Sequence, residues 1–179
     1  MRTLINKLKK HGYKISVAES CTGGLISKLI TDVSGASEVF DCAVTTYSNQ
    51  AKMKLLGVKK ETLDSFGAVS EPTAREMASG VKALSNADIA VSVTGIAGPS
   101  GGSEQKPVGT VCIGIATDEK CYAVTFLFAG SRSQIRRMSA KMACKMALDE
   151  LGIPADKEKL RKRASNAAKS AVDRLKKKK

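Results

Sequence analysis

Residues 3–10 set Leu4, Ile5 and Leu8 on one side among charged neighbours, the spacing of an amphipathic helix that His11-Gly12 ends. The period then changes. Lys14-Ile15-Ser16-Val17-Ala18 alternates polar and apolar positions, which predicts a strand with one face buried and the other in solvent. Leu25, Ile26, Leu29, Ile30 and Val33 form a helical stripe, so a helix is expected over 22–33, stopping at Ser34-Gly35-Ala36-Ser37. Residues 39–47 are rich in β-branched and aromatic side chains and read as a second strand. Ser48 and Asn49 are cap-type residues that open a helix, and Gly57 closes it. A short helix over 59–66 ends at Gly67. Ser70-Glu71-Pro72 starts another, over 72–84, with Ala74, Met77, Ala78 and Val81 facing inward.

Residues 88–94 predict a third strand that runs into a glycine-rich loop, 95–107. Strands over 109–117 and 121–128, joined at Asp118-Glu119-Lys120, make a hairpin. A last helix over 132–151 turns Ile135, Met138, Met142 and Leu148 toward the core. Helices alternating with the first three strands call for right-handed crossovers and a mainly parallel sheet covered on both faces. The hairpin adds one antiparallel strand, so the fold class is α/β with a mixed sheet. Ligands of such sheets bind beyond the carboxyl ends of the parallel strands. Ser20, residues 47–52 and the loop from Gly95 all leave such ends.

Composition narrows the chemistry. Apolar content is 42% but aromatics only 4%, with no Trp, so the core must be built from Val, Ile, Leu, Ala and Met. The five cysteines are scattered without a C-x-x-C, and His11 is the single histidine, so neither a metal site nor a cofactor is expected. The first fourteen residues are charged and no run reaches the length of a membrane span, so a soluble, cytoplasmic protein is expected. The net charge of +13 is unevenly placed: +8 lies in residues 155–179 and only +5 in the rest. The expected organisation is a catalytic-size domain over 1–153 and a basic helix or tail over 154–179. That tail is suited to weak, nonspecific, salt-sensitive contact with nucleic acid.

The chemistry centres on Ala18-Glu19-Ser20-Cys21-Thr22-Gly23-Gly24. A strand that enters a helix through this turn leaves backbone N–H groups for an anion or a developing oxyanion. Taken alone, the turn favours the simpler reading that Ser20 or Thr22 only caps the helix. Ser20 and Ser37 are the candidate nucleophiles. His11 precedes the first strand, so the base must be a lysine or a tyrosine; Lys52 lies one helical turn beyond a strand end, with Tyr47 beside it to pass the proton or orient the amine. A Ser/Lys pair requires the lysine to fall from about 10.4 toward roughly 7 to 8. The loop from Gly95, Lys106 and Arg132 are candidates for gripping a phosphate or ribose.

Taken together, Ala18-Glu-Ser-Cys-Thr-Gly-Gly24, Tyr47-Ser-Asn-Gln-Ala-Lys52, Gly67-Ala-Val-Ser70 and Thr94-Gly-Ile-Ala-Gly-Pro99 through Lys106-Pro-Val-Gly109 resemble the CinA C-terminal domain family over residues 3–151. Its stand-alone members are nicotinamide mononucleotide deamidases. The resemblance implies a three-layer α/β/α fold on a mixed five-stranded sheet with one antiparallel strand. It implies a metal-independent amidohydrolase that releases ammonia from nicotinamide mononucleotide. Carried over by position, Ser20 and Lys52 form the dyad, and Tyr47 and Ser37 complete the catalytic set. In that reaction the backbone N–H groups of Cys21, Thr22, Gly23 and Gly24 are expected to hold the oxyanion, and the strand end and loop at Thr94, Gly95 and Gly98, with Lys106 and Arg132, the phosphate and ribose. A homo-oligomer with a small-molecule substrate and no membrane partner is expected. The family usually has Gly-Asp-Arg before the last helix, where this chain has Gly130-Ser131-Arg132. Full-length CinA proteins carry a further N-terminal domain, for which 179 residues leave no room. The alternative is a non-catalytic, CinA-like competence- or damage-associated binding module whose basic tail attracts nucleic acid.

Overall fold

The computed structural model describes residues 1–152; the basic tail expected over 154–179 lies outside them. Contacts divide the chain into a unit of Met1–Leu148 and a second beginning at Asp149. Everything functional below belongs to the first.

Its elements run α1 (Arg2–His11), β1 (Ile15–Glu19), α2 (Leu25–Thr31), a 3-10 turn at Ala36–Glu38, β2 (Phe40–Thr45), α3 (Asn49–Leu56), α4 (Lys60–Phe66), α5 (Glu71–Leu84), β3 (Ile89–Gly95), β4 (Thr110–Ala116), β5 (Cys121–Leu127) and α6 (Arg132–Glu150). Local signals set most of these bounds. Gly12 and Gly57 close α1 and α3 in the left-handed conformation. Ser48 and Ser70 cap α3 and α5 by accepting from the amides of Ala51 and Thr73.

The five strands make one sheet in the order β2-β1-β3-β4-β5. β2, β1 and β3 are mutually parallel, and the β3-β4 and β4-β5 pairs are antiparallel, so β4 alone runs against the others. This is the mixed α/β sheet expected. α5 lies across one face, touching β1, β3, β4 and β5, with α3 and α4 beside it. Side chains of Ala18, Ala90 and Ala116 meet Met77, Ala78 and Val81 of α5 there, joined by Leu56, Val58 and Leu63. α2 covers the other face, where Glu19 reaches it from β1. α1 and α6 meet as Lys7 Nζ donates to the Leu148 carbonyl at 3.5 Å.

Two expectations change. β1 is not half-exposed: all five of its residues are buried, because it is an interior strand between β2 and β3 with helices on both sides. Its polar positions are spent on internal partners, Ser16 Oγ donating to the Val81 carbonyl and Glu19 receiving α2. In α6, Met138, Met142 and Leu148 are only half-buried. The inward stripe runs through Ile135, Ser139, Ala140, Ala143 and Ala147, which has the same period and a smaller cross-section, so the helix can lie closer to its neighbours. Among the described residues no helix is long and apolar enough to cross a membrane.

Candidate active site

The carboxyl ends of the three parallel strands are level, since Glu19 pairs with Thr45 on one side and Val93 on the other. Ser20 continues the ladder by one bond, its amide donating to the Val93 carbonyl at 2.9 Å. The chain then turns through Gly23 (φ 55) and Gly24 (φ 88), left-handed conformations that a side chain would strain. The Gly23 amide donates back to the Ser20 carbonyl at 3.2 Å, and α2 begins at Leu25.

Gly24 caps α2 without a side chain, and Glu19 does the capping from six residues upstream. Its carboxylate, fully buried, accepts from the Ile26 amide at 3.1 Å, the Ser27 amide at 2.9 Å and the Ser27 hydroxyl at 2.6 Å. The positive end of α2 is therefore occupied by an internal anion. This corrects the expectation that the whole turn offers donors to a ligand. The Gly23 and Leu25 amides are used within the turn. The amides of Thr22 and Gly24 donate to no atom of the described residues.

Lys52 sits in the first turn of α3, which Ser48 caps at the end of β2. Its Nζ lies 3.1 Å from Ser20 Oγ and 2.9 Å from the Thr46 carbonyl. The side chain is 1% exposed, which makes it one of the largest fully buried side chains in the molecule. Among the described residues no carboxylate pairs with it. Burial without a counter-charge pushes the Lys52 amine below its usual 10.5, with the neighbouring Cys21 acting in the opposite direction. Burial also pushes the Cys21 thiol up to about 12, so it stays neutral and is no rival nucleophile. A neutral amine has two hydrogens and one lone pair. It can donate to the Thr46 carbonyl while its lone pair accepts the Ser20 hydroxyl. The same two contacts therefore serve the uncharged form, which is the one able to act as a base, as well as an ammonium that donates to both oxygens.

The other expected residues divide. Tyr47 is 68% exposed, and its hydroxyl accepts from Arg132 Nη2 at 3.2 Å; the Thr46 carbonyl, not Tyr47, orients Lys52. Arg132 also donates through Nη1 to the Gly98 carbonyl at 2.7 Å, tying the glycine-rich loop to the end of β2. Thr94 is buried, with its hydroxyl donating to the Ala68 carbonyl at 2.8 Å, and Gly95 ends β3. Lys106 donates to the Phe66 carbonyl at 2.7 Å, so its ammonium closes α4. Ser37 is not brought to the site. It lies on the 3-10 turn before β2, whose first residue pairs with Ile15, the first residue of β1, while Ser20 follows the last. The length of β1, roughly 16 Å, separates them.

Three residues of the site were not among those expected. Glu19 lies inside the motif, and an acid preceding a helix whose N-cap is glycine is a usable signal. Thr46 acts through its carbonyl, which no sequence pattern marks. Arg136 donates through Nε to the Cys21 carbonyl at 3.1 Å and through Nη2 to the Thr22 carbonyl at 2.5 Å. The hydroxyls of Thr22 and Thr46 are buried with no partner among the described residues, the only such side chains there. No three His, Cys, Asp or Glu side chains gather among those residues as a metal cluster would.

Residues 1–151 match the family model of the CinA C-terminal domain. A relative from Caldanaerobacter subterraneus subsp. tengcongensis, named for competence and damage induction, is 57% identical over 136 residues, covering 76% of this chain and 33% of its own length. The chain thus spans about a third of that relative. The competence/damage inducible protein CihA of Agrobacterium tumefaciens has a similar structure, with a TM-score of 0.81 at 42% identity over 84% of this chain and 92% of that one. The competence damage-inducible protein A of Klebsiella pneumoniae has a TM-score of 0.83 at 32% identity, covering 86% and 96%.

Proposed function

Because this chain belongs to the CinA C-terminal domain family, we propose that its Ser20-Lys52 pair hydrolyses the carboxamide of nicotinamide mononucleotide, releasing nicotinate mononucleotide and ammonia. One observation carries the reading. A lysine 1% exposed, with no carboxylate partner, holds its Nζ 3.1 Å from a serine hydroxyl at the carboxyl edge of a parallel sheet. Neutralising such a lysine is the ordinary response to burial, and here it leaves a base beside a nucleophile.

In the proposed sequence Lys52 takes the Ser20 proton as Oγ bonds to the carboxamide carbon. The C=O π pair moves onto oxygen, where the Thr22 and Gly24 amides receive it. The oxyanion collapses, the C–N bond breaks, and Lys52 returns its proton so that nitrogen leaves as ammonia. Water, deprotonated by Lys52, then attacks the acyl-serine and restores Ser20. No step needs a metal. Arg132, Tyr47 and the loop at Gly98, joined at the rim, are placed to meet the ribose and phosphate.

The test is ammonia release from nicotinamide mononucleotide by the full chain, beside Ser20→Ala and Lys52→Ala with folding followed by circular dichroism. Turnover by the parent and a loss of about a thousandfold in each variant is the expected result. An inactive parent, or parent-like turnover in either folded variant, removes the assignment.

A further inference from the structure

Arg136 spends its guanidinium on two consecutive carbonyls of the nucleophile turn, Cys21 at 3.1 Å and Thr22 at 2.5 Å. A helix arginine half-buried over 110 positions along the chain from its acceptors is not a solvated surface charge. The peptide unit between Cys21 and Thr22 is planar and trans, so its C=O and N–H point in opposite directions. Holding the Cys21 carbonyl against α6 therefore turns the Thr22 N–H away from α6. That amide has no acceptor among the described residues. The second grip, on the Thr22 carbonyl, orients the next peptide, whose Gly23 N–H donates to the Ser20 carbonyl. With Gly23 and Gly24 both left-handed, the turn has little intrinsic stiffness of its own.

We propose that Arg136 is a positioning residue that sets the oxyanion-binding peptide of the Ser20 turn, acting through the Cys21 and Thr22 carbonyls without touching substrate. The guanidinium also polarises the Cys21–Thr22 peptide, which makes the Thr22 N–H a stronger donor to developing negative charge. The inference rests on Ser20 acting as the nucleophile proposed above, but not on the identity of the amide substrate.

A fluorophosphonate probe separates the two. Ser20 Oγ would bond to phosphorus as the P–F bond breaks, Lys52 would take the proton, and the phosphoryl oxygen would occupy the oxyanion position. The expected labelling rate of Arg136→Gln is about 10- to 100-fold below that of the parent, since loosening a donor costs less than the 10²- to 10³-fold of deleting one. Arg137→Gln removes a neighbouring exposed charge of the same helix and should label at the parent rate. With a turned-over amide, Arg136→Gln should lower kcat by the same factor and leave KM within about twofold, because ground-state binding does not use the oxyanion donor. Arg136→Lys, which keeps the charge but not the fork, is the second variant; a loss of at least about threefold in it is expected. A parent that the probe never labels removes the nucleophile itself. A labelled parent with parent-like rates in whichever Arg136 variant folds, or a loss confined to KM, overturns the positioning role.

Discussion

Lys52 Nζ lies 3.1 Å from Ser20 Oγ although the two side chains belong to different strand-helix units, β1-α2 and β2-α3. Register makes the contact. Glu19 and Thr45 are paired neighbours, so the residue after β1 and the first turn of α3 begin from the same level of the sheet. Thr46 then fixes the amine from below, at 2.9 Å.

In the proposed reaction Lys52 acts through its amine, not its charge. Lys52→Arg should lose at least about a hundredfold in ammonia release, because a guanidinium does not deprotonate in this range. For the parent, kcat should rise with pH and level off at an apparent pKa below 10.5, since burial lowers the Lys52 amine and activity needs its neutral form. A flat profile, or one that falls on the alkaline side of neutrality, would contradict the base role.

The same burial predicts a stability penalty. With the folded pKa lowered, the unfolded chain binds the proton more tightly, so below the folded pKa the buried cation costs stability in full. The penalty fades as pH rises toward 10.5. Lys52→Met should therefore raise Tm at pH 6 by about 2–6 °C, with a smaller gain at pH 9.5. Thermal melts of both proteins at the two pH values check this.

Tyr47 should behave as a rim residue. Its hydroxyl meets Arg132 and not Lys52, so Tyr47→Phe should raise KM for the nucleotide several-fold and change kcat by less than about threefold. A proton-relay role would instead show as a fall in kcat.

Glu19→Gln keeps the shape but turns an NH₂ toward the amides of Ile26 or Ser27. Losing charge-assisted bonds in a fully buried position should cost about 2–4 kcal/mol, read as a lower urea midpoint at unchanged m.

Gly80 decides how closely α5 approaches α3. A Cβ there would stand 2.0 Å from the Leu56 carbonyl oxygen, which is backbone and cannot swing aside. Gly→Ala in a helix normally gains up to about 1 kcal/mol. Here the clash wins, and Gly80→Ala should lose about 2–4 kcal/mol by chemical denaturation. Activity should fall as well, because the displaced helix carries Lys52.

Ser20 and Lys52 were both legible in the chain as candidates. Each follows a strand end, no histidine lies near, and Ser48 and Gly57 bracket a helix that puts Lys52 in its first turn. Caps, glycine stops and periodicity act within a few residues, so one sequence determines where the elements begin and end and which loops face the carboxyl edge. Periodicity could not choose between neighbouring stripes, which is why α6 buries Ala140, Ala143 and Ala147 more fully than Met138 and Met142. Nor could it report that β1 is an interior strand, since that depends on partners 25 and 74 residues away, Phe40 and Ile89.

By itself, then, the chain determined its elements, their order, the mixed sheet and the placing of Ser20 and Lys52 at its carboxyl edge. Only the tertiary structure decided which groups meet them. It set Ser37 at the opposite end of β1, gave α2's amides to Glu19, and brought Arg136 and the Thr46 carbonyl to the turn. Those choices follow from strand register and from crossovers that fold distant segments together, and such pairings leave no local trace in the order of residues.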